Sequence, residues 1–578
     1  MFSKFYQSEL AYLRDIGRAF SAAHPTLAPL LSERSTDPDV ERLLEGFAFL
    51  TARIQERVQD AVPELSHELA QLLIPHYLRP VPSCAVVEFS VPVRNLRGPV
   101  RIPRGTELSS TPVEGTVCHF RTTDDAHVMP LTLSRAQTMR MSSSSVELRL
   151  SIETTEPARP TALSVPLRLY LHGDLSNASA LLLSLKHQCR GVSLRDKSGK
   201  ELLRLPADAV ALPGFRDDNT LFPWPSLVPL GYARVLEYFS FPQKFLFVDV
   251  HGLEKVGPLP DDSFELTFLL NDMPIFAGSL SPESFRLSCV PVVNLFSTSA
   301  DPLRQTVGGQ ELFIRPAAMT PQHAEVFSVD EVVGVRRGER TTYQPFGFFP
   351  HLQQKKARAF YQLRRSRSVL DLGSDTTLVV GSPLETRPFL GEEVFSIDLT
   401  CTNRLLAGRV GLGDINKGRG SLPAGAKVKN ITPATQPIPA PLGTEVLWRL
   451  ISHLSVMQRT LVDEQALRGF LELYNLQVFG DVSVARANTV RVDAIRKIQA
   501  SPIRRLFRGA PVQGTRLLLE LEEKSFASLG DVYLFGSVLN ALFGSFVTMN
   551  SFAELTLKAL PSQSEFTWPL TIGTRQLQ

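Results

Sequence analysis

The chain has few of the residues that usually announce a chemistry. Its five cysteines (Cys84, Cys118, Cys189, Cys289 and Cys401) are odd in number, widely spaced and free of any C-x-x-C pair. Neither a disulfide framework nor a structural zinc site is expected of them, and buried reduced thiols are. Excess charge of one sign is also lacking: 61 Lys and Arg against 58 Asp and Glu leave +3 over 578 residues, too little for general polyanion binding. The 36 glycines and 42 prolines are too few for a disordered or collagenous chain. The opening MFSKFYQSELAYLRDIG carries Glu9, Arg14 and Asp15 where a signal peptide needs an apolar core, so a cytoplasmic protein is expected. From Val532 to Ala553 there is no charge, but Asn540, Asn550, serines and glycines interrupt the run. That pattern predicts a buried helix followed by a strand in preference to a membrane span.

Catalytic and cofactor motifs are missing as well. Gly199-Lys200 is followed by Glu201, so no P-loop forms, and Gly411-Leu412-Gly413 has Asn416 where a dinucleotide fingerprint needs its third glycine. There is no G-x-S-x-G elbow, no H-E-x-x-H and no histidine pair at ligand spacing; His67 and His76 read as ordinary surface or partly buried side chains. No metal or cofactor is expected. Adjacent acids at Asp124-Asp125, Asp217-Asp218, Asp261-Asp262 and Glu392-Glu393 read as solvated turn residues before they read as a glycosidase pair.

What the sequence does hold is length and periodicity. At roughly 100 to 200 residues per domain it predicts about three to five domains. Tyr6, Leu10, Leu13, Gly17 and Phe20 line one helical face. A second helix opens at Asp37-Pro38 and carries Val40, Leu43, Leu44, Phe47, Leu50, Ile54 and Val58; a third opens at Pro63 and ends before Pro75. After Pro82 the pattern turns to period two, with strands expected at 85–91, 162–170, 245–250, 264–270, 359–363, 377–380 and 394–399. Residues 412–441, with Pro433, Pro437, Pro439 and Pro441, read as a linker or extended arm, and helical faces return at 447–461 and 466–474. The expected segments are an N-terminal helical segment 1–82, a β-rich domain 83–160, an α+β domain 161–300, a β-rich domain 301–411, the arm 412–441 and an α+β domain 442–578.

Two features invite a functional reading. Lys355, Lys356 and Arg358, then Arg364, Arg365 and Arg367, with Phe360 and Tyr361 between, have the makings of a nucleic-acid groove. On a nearly neutral chain the preferred reading is a strand whose aromatics face a core and whose arginines meet an acidic partner. Near the C-terminus, Gly536, Asn540 and Gly544 form a small-residue stripe flanked by Phe535, Leu539 and Phe543. It predicts a tight partner helix, from this chain or another. With Tyr6, Leu10, Leu13 and Phe20 these are the candidate partner-binding residues.

The blocks YQSELAYLRDIGRAF (6–20), DPDVERLLEGFAFLTARI (37–54) and LIPHYLRPVPS (73–83) resemble the TssF family, also called ImpG or VasA, of type VI secretion baseplates. Further blocks resemble it in the same order: GYARVLEYFSFPQKFLF (231–247), RLSCVPVVNLF (286–296), LTCTNR (399–404), LWRLISHLS (447–455), VTMNSFAELTL (547–557) and WPLTIGTRQL (568–577). VRIPRGTEL (100–108) is similar to an I-P-x-G-T element of phage baseplate wedges. The resemblance implies an α+β, multidomain, wedge-like protein with N-terminal amphipathic helices, β-rich middle domains and an α+β C-terminal domain. It implies a non-enzymatic subunit that pairs with a second TssF copy and one TssG, and meets TssK, TssE, the VgrG spike and neighbouring wedges, without nucleic acid, small-molecule substrate or membrane span. Within these blocks, Cys401 and Arg404 read as a strand end and turn, Trp448 and His453 as core, and Asn550 as a backbone-satisfying residue. A carbohydrate-active enzyme and a nucleic-acid-binding protein are the rival functions.

Overall fold

A computed structural model of the chain describes residues 6, 7, 10, 11, 13, 42, 45–51, 70, 71, 73–92, 96–142, 145–155, 158–226, 228–272, 280–305, 312–317, 319–345, 360–368, 370–381, 393–419, 422, 425–442, 463–507, 510–547 and 551–573. The chain divides into a small unit, Met1–Ile74 with Gly443–Ser452, and a large one, Pro75–Leu442 with His453–Gln578. In the small unit Tyr6, Leu10, Leu13, residues 45–51 and Ala70 are helical. Ala48 and Ala70 are fully buried there, while Phe47 and Leu50 are 63% and 59% exposed.

The large unit is built mainly of antiparallel sheets. The first runs in the order Ile415–Gly418, Glu107–Val113, Thr116–Thr122, Cys289–Val293, Cys84–Ser90, Lys427–Asn430. CAVVEFS and CVPVV are buried along nearly their whole length, as continuous β-branched runs require when both faces are covered. Both edge strands come from the Gly/Pro-rich stretch 412–441. Gly413 N donates to Asn430 O at 3.1 Å and Ile415 N to Asn430 Oδ1 at 2.9 Å, so the sheet curls back on itself around a core of Val87, Phe89, Phe120, Val290, Ile415 and Val428. This stretch is thus an integral edge of the sheet. Its prolines interrupt the ladder, and the hydroxyls of Thr432 and Thr435 accept the N–H groups of Val86 (2.8 Å) and Cys84 (2.9 Å) in place of backbone carbonyls.

A five-stranded sheet (Glu201–Pro206, Cys189–Asp196, Ser263–Leu270, Ser145–Thr154, Leu131–Ser142) and a four-stranded one (Val210–Ala211, Phe247–Val250, Leu167–Leu171, Phe285–Arg286) follow. The strand expected over 162–170 begins only at Leu167, because Pro160 and Pro166 bracket a turn. An eight-stranded sheet holds Glu325–Arg336, Glu339–Pro345, Phe360–Arg367, Ser374–Gly381 and Glu393–Thr402.

Five helices of the large unit matter here: α1 Leu175–Lys186, α2 Leu230–Ser240, α3 Glu464–Tyr474, α4 Val482–Asp493 and α5 Leu529–Gly544. Four start at side-chain caps, with Asp174, Asp463, Asp481 and Ser528 accepting first-turn N–H groups. The C-terminal sheet, Ile495–Phe507, Ala510–Glu522, Phe552–Leu560 and Glu565–Thr567, packs on α5. Among the described residues no helix is long and apolar enough to cross a membrane.

Candidate interaction site

The C-terminal stripe is covered by its own chain. Gly530 through Leu539, Leu542 and Phe543 are all buried, so α5 is enclosed on every side, the mark of a core helix. Its small residues make room for neighbours within the molecule. A Cβ on Gly536 would lie 2.3 Å from the Trp568 ring, and one on Gly544 2.6 Å from the Thr571 methyl. Two further glycines bring helices together: a Cβ on Gly530 would meet the Ser179 carbonyl of α1 at 2.1 Å, and one on Gly231 of α2 would meet Leu542 Cα at 2.6 Å. The stripe expected to admit a partner helix therefore admits this chain's own strand and tryptophan, and the helix partners are α1 and α2. Phe535, Leu539 and Phe543 face this interior, while Asn540 is half-buried.

The N-terminal candidates differ. Tyr6, Leu10 and Leu13 are helical and half-buried, and Phe20 lies outside the described residues. On the second helix the expected stripe members Phe47 and Leu50 are exposed, and Ala48, off that stripe, is buried. Its remaining members, the 447–455 block and Asn550 lie outside the described residues.

Polar side chains hold the elements of the large unit to one another. Arg168 takes both oxygens of Asp249 (2.7 and 2.9 Å) and one of Asp124 (2.8 Å), and Asp124 also receives Arg216 (2.8 Å) and Asn219 (3.1 Å). Next to it, within GYARVLEYFSFPQKFLF, the buried Glu237 binds Arg234 (3.0 Å), Lys244 and the Leu221 N–H (2.7 Å). Burial pulls Lys244 down to about 7 against the attraction of Glu237. Such pairs add little net stability but cost about 3–5 kcal/mol when one partner is removed, so they fix relative orientation. Asp531, fully buried at the start of α5, accepts Tyr238 OH of α2 (2.9 Å) and pairs with Arg491 of α4 (3.3 Å).

A second junction joins the first and the eight-stranded sheets. Asn294 and Asn403, each just past a strand end, bond reciprocally: Asn403 N to Asn294 Oδ1 at 2.7 Å and Asn294 Nδ2 to Asn403 Oδ1 at 2.8 Å. Both also bind the His119 backbone, at 2.7 Å each. Arg404, held at φ 55°, carries its guanidinium to Asp371 (2.9 Å) and to the Pro321 carbonyl (2.8 Å). The LTCTNR block is thus a structural clasp. No periodicity marks Asn294 or Asn403; isolated asparagines next to apolar runs were the available signal.

The remaining candidates are absorbed in the same way. All five cysteines are buried and unpaired, and burial raises Cys118 to about 11 and Cys401 to about 12. His76 is buried, contrary to its reading as a surface or partly buried residue: its ring packs on Trp224 and its Nε2 meets Tyr474 OH at 3.0 Å. Asp124 and Glu393 are likewise buried and engaged, Glu393 by Tyr343 OH at 3.0 Å, whereas Asp217 and Asp218 are exposed. In the basic stretch Tyr361 enters the core, and Arg365 donates to the Phe327 carbonyl at 3.1 Å with burial lowering it to about 10; Lys355, Lys356 and Arg358 lie outside the described residues. Thr116 Oγ1 contacts His323 Nδ1 at 2.7 Å beside a cleft of about 410 Å³ lined by Glu107, His119 and Arg419. No carboxylate bonds that imidazole among the described residues, and no group of three potential metal ligands occurs among them.

A multidomain β-rich framework, with buried ion pairs and asparagine clasps between its elements and exposed apolar side chains on an N-terminal helix, is the build of an assembly subunit. The family model described as Type VI secretion system, TssF matches residues 1–575. The type VI secretion system component TssF1 of Pseudomonas aeruginosa is 28% identical, over 99% of this chain and 98% of that protein. A chain of the cryo-electron microscopy structure of the type VI TssK-TssF-TssG baseplate subcomplex is similar with a TM-score of 0.77 and 30% identity, covering 93% of this chain and 99% of that one. A chain of the type VI baseplate complex matches at 0.67 and 26%, each chain covered in full. The chain belongs to the TssF family of the type VI secretion system, a family of structural baseplate subunits.

Proposed function

We propose that this chain works without catalysis as a wedge subunit of the baseplate, joining TssG, TssK and a second copy of itself in the platform from which sheath and tube polymerise. The observation that carries the reading is the likeness over 93% of the chain, TM-score 0.77, to a chain of a TssK-TssF-TssG baseplate subcomplex. The wedge works in the cytoplasm, at the membrane-docked secretion complex, and contacts TssE, the VgrG spike and neighbouring wedges. The proposed partner face is N-terminal: Tyr6, Leu10 and Leu13 with the exposed Phe47 and Leu50 enter a helix bundle shared with TssG. Large apolar side chains left in water are a cost that an obligate interface of about 2,000–5,000 Å² removes. The residues of α5 contribute by building the C-terminal domain.

Co-expression with TssG and TssK from the same gene cluster, followed by size-exclusion chromatography and subunit quantification, tests this. Co-elution at a defined ratio is expected. A well-behaved monomer that ignores both partners overturns it.

A further inference from the structure

The eight-stranded sheet is an insertion into the first. The chain leaves the strand Cys289–Val293, passes Asn294 and Leu295 and enters at Phe296; it comes back through Glu393–Thr402 and Asn403. Every strand of that sheet lies between 296 and 402. The entering and leaving strands are neighbours, with Phe296 opposite Cys401 and Ser297 opposite Thr400, so the two connections form one narrow neck. The two sides have separate cores. Val87, Phe120, Val292 and Leu406 belong to one and Val332, Leu378, Phe395 and Leu399 to the other, with no residue shared among those described.

Polar anchors cross the seam between them. The Asn294–Asn403 pair closes the neck, and both side chains hold the His119 backbone of the first sheet. Just outside the neck, Arg404 reaches back to Asp371 and the Pro321 carbonyl. Thr116 Oγ1 and His323 Nδ1 meet at 2.7 Å, and the Arg79 guanidinium stands 5.3 Å over the Phe327 ring. At Thr116 the seam opens into the cleft of about 410 Å³, with Glu107 and His119 on one wall and Phe296, Thr298 and Met319 on the other. A body with its own core, joined at one neck and held by polar contacts, turns once those contacts go, whereas a shared apolar core would hold it.

We infer that residues 296–402 form an inserted domain whose angle to the first sheet is set by Asn403 and by the Thr116–His323 contact as positioning groups, and which, released from them, turns about the neck as one body. The lever is long. The strand Glu325–Arg336 starts opposite Thr402 at the neck and carries its far end about 35 Å away at ~3.3 Å per residue. A turn of about 15° displaces that end by about 9 Å. The outer end of the sheet is thus re-aimed by breaking a few side-chain hydrogen bonds, with neither core opened.

The test is a pulsed electron-resonance distance measurement on the full chain. Nitroxide labels go on Lys427→Cys in the first sheet and Glu339→Cys at the far end of the eight-stranded one; both positions are exposed, and the five native cysteines are buried and take no label. A second pair, Glu339→Cys with Ser366→Cys, lies within the eight-stranded sheet and reads its integrity. Otherwise unsubstituted chain is expected to give one distance across the neck. Asn403→Ala combined with His323→Ala should add a population displaced by about 9 Å, and His323→Ala alone a smaller shift in the same direction, while the internal pair keeps its distance throughout. A distance across the neck that stays single in both variants overturns the inference, as does a chain that shows two distances before any anchor is removed. An internal pair that spreads along with the outer one also overturns it, because the sheet is then loosening and not turning. Where the double variant does not fold, His323→Ala, at a half-buried position beside the cleft, decides by the same two outcomes.

Discussion

Helix α5 and the N-terminal helix at 45–51 are both apolar, and the sequence offers both to partners, yet they end in opposite surroundings. α5 is buried on every side, and the chain covers it with α1, α2, the strand Phe552–Leu560 and Trp568. At 45–51 the small Ala48 is inside while Phe47 and Leu50 stand in water. Periodicity says that a face will be buried but not by which chain. What separates the two cases is the circumference: a helix with no charge beyond Asp531 suits a core, and a stripe edged by charge such as Glu45 suits a surface that awaits another helix.

The largest effect is expected where the comparison is sharpest. Leu539→Asp places a carboxylate in a fully buried position, and should cost the lone chain about 4 kcal/mol or more. Thermal melting of the purified chain without partners reads this directly. If Leu539→Asp melts like wild type and merely loses TssG, α5 is an interface helix after all and the contrast drawn here is void.

A smaller, pH-dependent effect probes the interior of the large unit. Burial, helped by Arg79, holds His76 down at about 3, against 6.5 for an ordinary imidazole. Between these values the unfolded chain binds more protons than the folded one. The contribution of His76 is therefore complete above pH 6.5 and is lost as pH falls towards 3, at up to about 1.4 kcal/mol per unit. Other carboxylates titrate in the same window, so the measurement is a difference: urea unfolding from pH 7 to pH 4 for wild type and His76→Gln. The variant should lose about one proton's worth of slope. Equal slopes would mean that the imidazole is not sequestered and that Tyr474 does not hold it.

The large-scale plan was legible because it rests on period and punctuation. The shift from helical to alternating pattern after Pro82 and the charge-free run that makes up most of α5 and leads into the strand after it both follow from single-chain patterns. What escaped depends on pairs distant in sequence. Asn294 with Asn403, Asp124 with Arg168 and Asp531 with Tyr238 lie 109, 44 and 293 residues apart, and no local pattern couples them. The stretch 412–441 hid its strands for a related reason: Ile415–Gly418 and Lys427–Asn430 are short, proline-free edge strands, and among the prolines beyond them threonine hydroxyls accept the Val86 and Cys84 N–H groups. Likewise the stretch at 355–367 drew notice because its cations sit among aromatics, whereas the structure takes Tyr361 into the core and buries Arg365.

The smallest stability effect is expected at the other pole of the comparison. Phe47 and Leu50 are more than half exposed, so Leu50→Asp removes little burial from the lone chain and should shift its unfolding free energy by no more than about 0.5 kcal/mol. In a shared bundle with TssG the same carboxylate would enter an apolar seam, and co-elution should weaken by about tenfold or more. Leu13→Asp, at a half-buried position, should add a measurable stability cost to the same assembly defect. The ratio of the two effects carries the argument: Leu539→Asp must fail alone and in company, Leu50→Asp only in company. A Leu50→Asp chain that is unstable alone would make the N-terminal helix core as well, and would move the TssG contact off the face that Phe47 and Leu50 share.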